Sequence, residues 1–81
     1  MEEAILSFVR RQFKASVGAK PIDAQTPLFT SGIVDSFGVL EVIAFLEDTF
    51  RVSIDPSRHE LVEFDTAAKM AALVARLLAA S

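Results

Sequence analysis

Apolar residues recur at helical spacing in three separate stretches of the chain. From about 3 to 17, Ile5, Phe8, Val9 and Phe13 share a face that Gln12 interrupts. Arg10, Arg11 and Lys14 fall toward the end of this stretch, where cations suit the helix dipole, and Gly18 and then Pro21 supply the stop. This first helix reads as scaffold, with its bases on a solvated face. A second helix is expected over 36–50. At about 100° per residue, Val39, Val42, Ile43, Leu46 and Phe50 form its core stripe, and Ser36, Leu40, Ala44 and Glu47 the adjoining strip. Phe37 stands at the outer edge of that strip, with Glu41 and Asp48 just beyond. Phe45 lies off the stripe and is expected to be covered by the long loop or, as the alternative, to contribute to a partner site.

Between these two helices, residues 18–35 are punctuated by Pro21, Pro27, Thr30-Ser31 and Gly32. So long a connection in so short a chain is no neutral linker. Leu28, Phe29, Ile33 and Val34 predict that it packs onto the helices and fixes where residue 36 sits. After the second helix, Val52 and Ile54 pin a short extended turn, which has no second run to pair with as a strand. Asp55-Pro56 is a helix-start signal for a short third helix of about 56–62. Asp65 or Thr66 caps a last helix whose stripe is Met70, Leu73, Val74 and Leu77, with Ala67, Ala71 and Ala72 allowing close packing. The expected architecture is an all-α four-helix bundle, three longer helices and one short third helix, with a long first loop.

Composition narrows the class. Eighty-one residues make one small domain, 1–81, and with 52% apolar residues a packed core is expected. There is no cysteine, so neither a disulfide nor a thiolate metal site is available, and any thiol chemistry must arrive on a cofactor. No apolar run approaches a membrane span, and the acidic start Met1-Glu2-Glu3 is unlike a signal peptide, so a cytoplasmic protein is expected. The net charge of −3 is unevenly spread. Residues 1–20 carry Glu2 and Glu3 against Arg10, Arg11, Lys14 and Lys20, a balance of +2. Residues 21–50 carry Asp23, Asp35, Glu41, Glu47 and Asp48 with no base, −5. The remainder balances. An acidic middle third attracts basic partners and repels nucleic acid.

The acid-only third contains Gly32-Ile33-Val34-Asp35-Ser36-Phe37, a turn-ended loop that runs straight into the second helix. That order places the Ser36 hydroxyl on the surface at a helix mouth, where unpaired N–H groups and the positive dipole end favour a phosphate. Asp35 suits the N-cap. Here the chain resembles the acyl and peptidyl carrier proteins, on Asp35-Ser36 after Gly32, the run to Phe50 behind it, the long first loop with its apolar anchor at Leu28, and Phe64-Asp65-Thr66 before an Ala-rich helix. The resemblance spans nearly the whole sequence. It implies that Ser36 carries covalent 4'-phosphopantetheine derived from coenzyme A. It also implies that Asp35 is the acid read by the phosphopantetheinyl transferase together with its metal ion. Phe37, Leu40, Glu41, Ala44 and Glu47 are then expected to form a partner-docking surface, apolar anchors for affinity and acids for steering.

An enzyme reading fares poorly. Ser36, His59 and Asp35 are the residue types of a nucleophilic triad, but no G-x-S-x-G elbow surrounds Ser36. His59, the only histidine, falls between Arg58 and Glu60 on a short and solvated helix. No His pair, cysteine set or calcium-loop spacing offers a metal site. A carrier explains more: the arm supplies the thiol that the chain lacks, and tethering raises the local concentration of cargo at each docked enzyme. A helical interaction module with an unmodified Ser36 is the rival reading, separated by modification of that serine. Relative to fatty-acid-synthesis carriers, Gly38 replaces an acid, and Arg51 and Arg58 add bases. This implies a discrete monomeric carrier for a specialised lipid, polyketide or secondary-metabolite pathway, served by its own adenylate-forming ligase, synthase or transferase. The apolar strip beside Ser36 favours acyl cargo; aminoacyl carriers of the D-alanyl or peptidyl kind look similar.

Overall fold

A computed structural model describes residues 1–80. Among them there is no strand, and the helices are α1 (Glu2–Gln12), α2 (Lys14–Val17), α3 (Ser36–Phe50) and α4 (Ala67–Ala80), so the all-α bundle stands. Ile5, Leu6 and Val9 of α1, Val42, Ile43 and Leu46 of α3, and Ala67, Met70, Leu73 and Val74 of α4 meet in one apolar core. The α3 boundaries coincide with the hydrophobic pattern. At its two ends, however, the expected stripe is only half-buried: Val39 and Phe50 pack against the core rather than within it. Ala72, expected at a close contact, is exposed.

The first helix does not run unbroken to residue 17. Phe13 leaves helical geometry (φ −115°, ψ 37°), and α2 follows until Gly18 ends it at φ 57°. The break lets two apolar side chains be satisfied at once. Val17 is buried, and the Phe13 ring turns edge-on to Phe8 with centroids 6.2 Å apart, reaching over to α3. Phe45 is covered by α1 and not by the loop: its ring stacks on Phe8 at 4.2 Å and 16°.

The short third helix is replaced by two 3-10 turns, Pro56–Arg58 and Leu61–Phe64, with His59 and Glu60 extended between them. A continuous helix there would have only the adjacent Leu61 and Val62 to bury, which make no stripe. The segment is instead held at its ends by the buried Ile54 and Phe64. Asp55 caps the first turn, accepting from the Ser57 hydroxyl at 2.7 Å and its N–H at 3.0 Å, and those two bonds hold its carboxyl below the ordinary value. His59 is half-buried rather than solvated, and its Nδ1 lies 2.9 Å from Glu63 Oε2. Lys69 Nζ donates to the Val62 carbonyl at 3.1 Å, tying the second turn to α4.

The long loop is the best-fastened irregular segment. Ile22, Leu28, Phe29 and Val34 are buried, and Arg10 Nη2 donates to the Ile22 carbonyl at 3.0 Å. Ala68 N–H donates to the Ala24 carbonyl, Leu28 N–H to the Asp65 carbonyl, and Val34 N–H to the Leu28 carbonyl. Of the two candidate caps for α4, Thr66 does the capping, its Oγ1 accepting from Lys69 N–H at 3.1 Å. Asp65 is buried and turned to the loop. Its Oδ1 accepts from Phe29 N–H at 2.7 Å and Thr30 N–H at 3.0 Å, and its Oδ2 from the Thr30 hydroxyl at 2.6 Å. Burial alone would raise this carboxyl's pKa; the Thr30 hydroxyl, then the Thr30 and Phe29 N–H groups, outweigh it and leave the pKa below the ordinary carboxylate value.

Candidate functional site

The site is built where the pinned loop meets α3. Gly32, at φ 86°, turns the chain, Val34 plugs into the core, and Asp35 is extended at φ −82° and ψ −179°. Asp35 Oδ1 then accepts from Gly38 N–H at 2.8 Å, and Val39 N–H donates to the Asp35 carbonyl at 3.1 Å. Asp35 is therefore the N-cap and Ser36 the first helical residue. Ser36 is exposed. With Gly38 N–H taken, the N–H groups of Ser36 and Phe37 are the first-turn donors that find no acceptor among the described residues. An anion bonded to the Ser36 oxygen would lie beside them, at the positive end of α3. Asp35 Oδ2 receives no donor among the described residues, so capping leaves half of this carboxylate available.

Beside the serine is an apolar hollow of about 400 Å³, lined by Phe29, Gly32, Val34, Asp35, Ser36, Val39 and Leu61. It joins the attachment candidate to the loop, to the inner edge of α3 and to the second 3-10 turn. Four of its lining side chains are hydrocarbon, which suits a flexible apolar chain led in from the Ser36 oxygen. The N-terminal donors, the exposed hydroxyl and the hollow thus fit a phosphodiester-linked arm.

The five expected docking residues are not alike. Phe37 is 81% exposed and Leu40 62%, large apolar groups held in water close to Ser36. Glu41 is exposed and accepts from Gln12 Nε2 at 2.9 Å, and Ala44 is exposed on the same side. Glu47 is half-buried, its Oε2 accepting from Ile54 N–H at 2.8 Å, so it pins the turn after α3. Gly38 is buried, not on the docking face. A Cβ there would lie 2.7 Å from Phe13 Cε1 and 2.7 Å from Val34 Cγ1. Glycine at this position answers a close approach of side chains and says nothing about the charge of the exposed face. Nor does any signal local to residue 38 reveal the Phe13 contact, because Phe13 arrives from the break between α1 and α2.

A helical bundle that displays a capped serine at a helix mouth, beside an apolar hollow, has the form of a carrier. The family described as phosphopantetheine attachment site matches residues 3–74, and the chain belongs to that family. It is 36% identical over 80 residues to the probable acyl carrier protein PigG of Serratia sp. (strain ATCC 39006), an alignment covering 98% of this chain and 90% of that protein. Members of the family carry covalently attached 4'-phosphopantetheine and are non-catalytic. Acyl carrier proteins work with synthases, ligases and transferases. No helix among the described residues is long and apolar enough to cross a membrane.

Proposed function

We propose that this chain is a discrete acyl carrier that holds acyl intermediates as thioesters on a 4'-phosphopantetheine arm at Ser36. It delivers them to the enzymes of a specialised lipid, polyketide or secondary-metabolite pathway, as a cytoplasmic monomer with no catalysis of its own. The observation that carries the reading is Ser36 itself: exposed, first residue of α3, beside two unpartnered N–H groups and an apolar hollow. In the loading step the Ser36 oxygen attacks the pyrophosphate of coenzyme A. One phosphorus–oxygen bond forms, one breaks, adenosine 3',5'-bisphosphate leaves, and the hydroxyl proton passes to the transferase. The new phosphodiester keeps a negative charge that the Ser36 and Phe37 N–H groups face. When bound, the arm supplies the thiol on which the thioester forms.

Asp35 holds α3 open for this with Oδ1 and offers Oδ2 to the transferase's Mg²⁺. Phe37, Leu40, Glu41 and Ala44 form the docking surface, apolar anchors with a steering acid. Glu47 adds charge to it but is held by Ile54. Acyl cargo is supported by the hydrocarbon lining of the hollow, where a charged aminoacyl group would have to surrender water. The test is incubation with coenzyme A, Mg²⁺ and a phosphopantetheinyl transferase, followed by intact mass and peptide mapping. One arm at Ser36 is expected, and Ser36→Ala should stay folded and unmodified. Modification at Ser31 or Ser53, or none with several transferases, would remove the assignment and leave a plain interaction module.

A further inference from the structure

At the end of α3 away from Ser36, about 20 Å along the helix axis, a second hollow of about 350 Å³ opens between the turn after α3 and the end of α4. Arg51, Val52, Ser53, Leu77 and Ala80 line it. Among the described residues the chain takes a positive φ at Gly18, at Gly32 and at Arg51, the last with φ 56° and ψ 48°. A side chain in this left-handed region is disfavoured, and a helix end of this form is usually glycine. Here it carries an arginine whose guanidinium forms no hydrogen bond or ion pair among the described residues, not even with Asp48 one turn earlier. No contact inside the fold therefore offsets the strain. The Ser53 hydroxyl is likewise unbonded. The frame around both is fixed, because Glu47 Oε2 accepts from Ile54 N–H at 2.8 Å and the Ile54 side chain is buried. Half-buried Val52 and Leu77, with Ala80 three residues after Leu77 on the same face of α4, supply hydrocarbon walls.

We propose that this hollow is a binding site for a small free carboxylic acid with a short hydrocarbon tail. Arg51 pairs with the carboxylate, Ser53 donates to it, and the tail lies against Val52, Leu77 and Ala80. The tail is short because the hollow stands at the small end of ligand pockets, which run from about 300 to 1,000 Å³. The C-terminal ends of α3 and α4 meet here, and their partial negative charge favours cations. The guanidinium alone therefore makes the place selective for an anion. No residue lines both this hollow and the one beside Ser36, so the site stands apart from the arm and from its cargo.

The probe is sodium octanoate, titrated into the unmodified protein at low salt, below micelle-forming concentrations, and followed by amide chemical shifts. Octylammonium chloride and the dipeptide N-acetyl-Ala-Leu with a free C-terminal carboxylate are run in parallel. Saturable shifts at Arg51, Val52, Ser53, Leu77 and Ala80 are expected with octanoate and not with octylammonium. Arg51→Gln should weaken octanoate binding about 2–5-fold, as loss of one exposed ion pair does. With the helix ends then unopposed, octylammonium should bind at least as well as octanoate. Arg51→Gly should lose octanoate binding to the same extent and yet raise the melting temperature by about 4 °C, since it relieves the left-handed strain. A lower melting temperature in Arg51→Gly would make the side chain a structural part and overturn the proposal. So would equal shifts with octanoate and octylammonium, shifts centred on Phe29, Val39 and Leu61, or no saturation. Tighter binding of the dipeptide than of octanoate would overturn it in favour of the chain end of a partner protein. Because the titration needs no arm, a failure of Ser36 modification leaves this readout intact. A failed titration alongside normal modification removes only this hollow.

Discussion

Replacing Asp65 with alanine should unfasten the loop that positions Ser36. The carboxylate accepts three hydrogen bonds, two from backbone N–H groups and one from a hydroxyl. A bond to a charged group is worth about 1.5–3 kcal/mol, but the three do not add, since two donors belong to the exposed Thr30 and can turn to water. Phe29 N–H is the one left buried, so a net cost of about 2–4 kcal/mol is expected. A domain of this length holds about 4–12 kcal/mol in all. The melting temperature should therefore fall by about 10–25 °C near neutral pH. Asp65→Asn keeps the Oδ1 acceptor and should lose less. The pH dependence gives an independent check. The native carboxyl titrates below its ordinary 3.8, so between the two values the unfolded chain binds the proton and the native chain does not. Stability from this group is complete above about pH 5 and is lost as pH falls through 3.8 toward the native value. Denaturant melts across this range should show that acid slope in the parent and a shallower one in Asp65→Asn. An Asp65→Ala variant melting within about 2 °C of the parent, with an unchanged acid slope, would refute the fastening role. In the same variant, transferase modification of Ser36 should slow, because Phe29 and Thr30, just before the turn at Gly32, lose their side-chain anchor.

Gly38→Ala should gain about 1 kcal/mol of helix propensity yet lose about 1–3 kcal/mol to the clash with Phe13 and Val34, so a net loss is expected. In a Phe13→Ala background the loss should shrink to what the Val34 contact alone imposes, and a double-mutant cycle by chemical denaturation reads the coupling. Glu47→Ala should cost about 1–3 kcal/mol by stranding the buried Ile54 N–H, while Glu41→Ala should cost under about 0.5 kcal/mol; equal costs in urea melts would contradict the split drawn between these two acids. A medium-length acyl group on the arm should raise the melting temperature and shift amides of Phe29, Val39 and Leu61, at about 0.8 kcal/mol per methylene buried, whereas an alanyl group should leave both unchanged. Native protein isolated with an amino acid on the arm would sink the acyl assignment.

Much of this architecture is legible in local pattern. The bounds of α3, the stop at Gly18, the cap at Asp55 and the anchors Leu28 and Val34 all follow from periodicity and from turn chemistry a few residues long. What escapes are pairings between distant residues. Nothing beside Asp65 indicates that its carboxylate serves Phe29 and Thr30, 36 and 35 positions away. Phe45 looks unpartnered until α1 brings Phe8 against it, and Gly38 looks like a surface position until the break at Phe13 swings a ring across it. The third helix fails for the opposite reason: its start signal is real, but helix propagation needs a face to bury, and the segment has none. At the site, Ser36, Asp35, Phe37 and Leu40 lie where the pattern places them, because each depends only on where α3 begins. That Glu47 is half-buried is not legible, because its partner, Ile54, lies beyond the helix end.

The placement of Ser36 also explains how mobility is divided in such a molecule. Its oxygen is two bonds from a backbone held on both sides. Upstream, Val34 is plugged into the core and its N–H bonds Leu28, which Asp65 in turn secures to the start of α4. Downstream, the first turn of α3 is closed by Asp35 on Gly38 and clamped from outside by the Phe13 ring. An attached arm therefore inherits none of its reach from the backbone; its freedom lies in its own bonds. That division suits a carrier, whose enzymes must find the serine in a fixed frame but the cargo at variable distance. It also gives a role to a buried, fully bonded aspartate in a loop-to-helix junction remote from the serine in sequence: Asp65 helps to hold Ser36 in place from the far side of the loop.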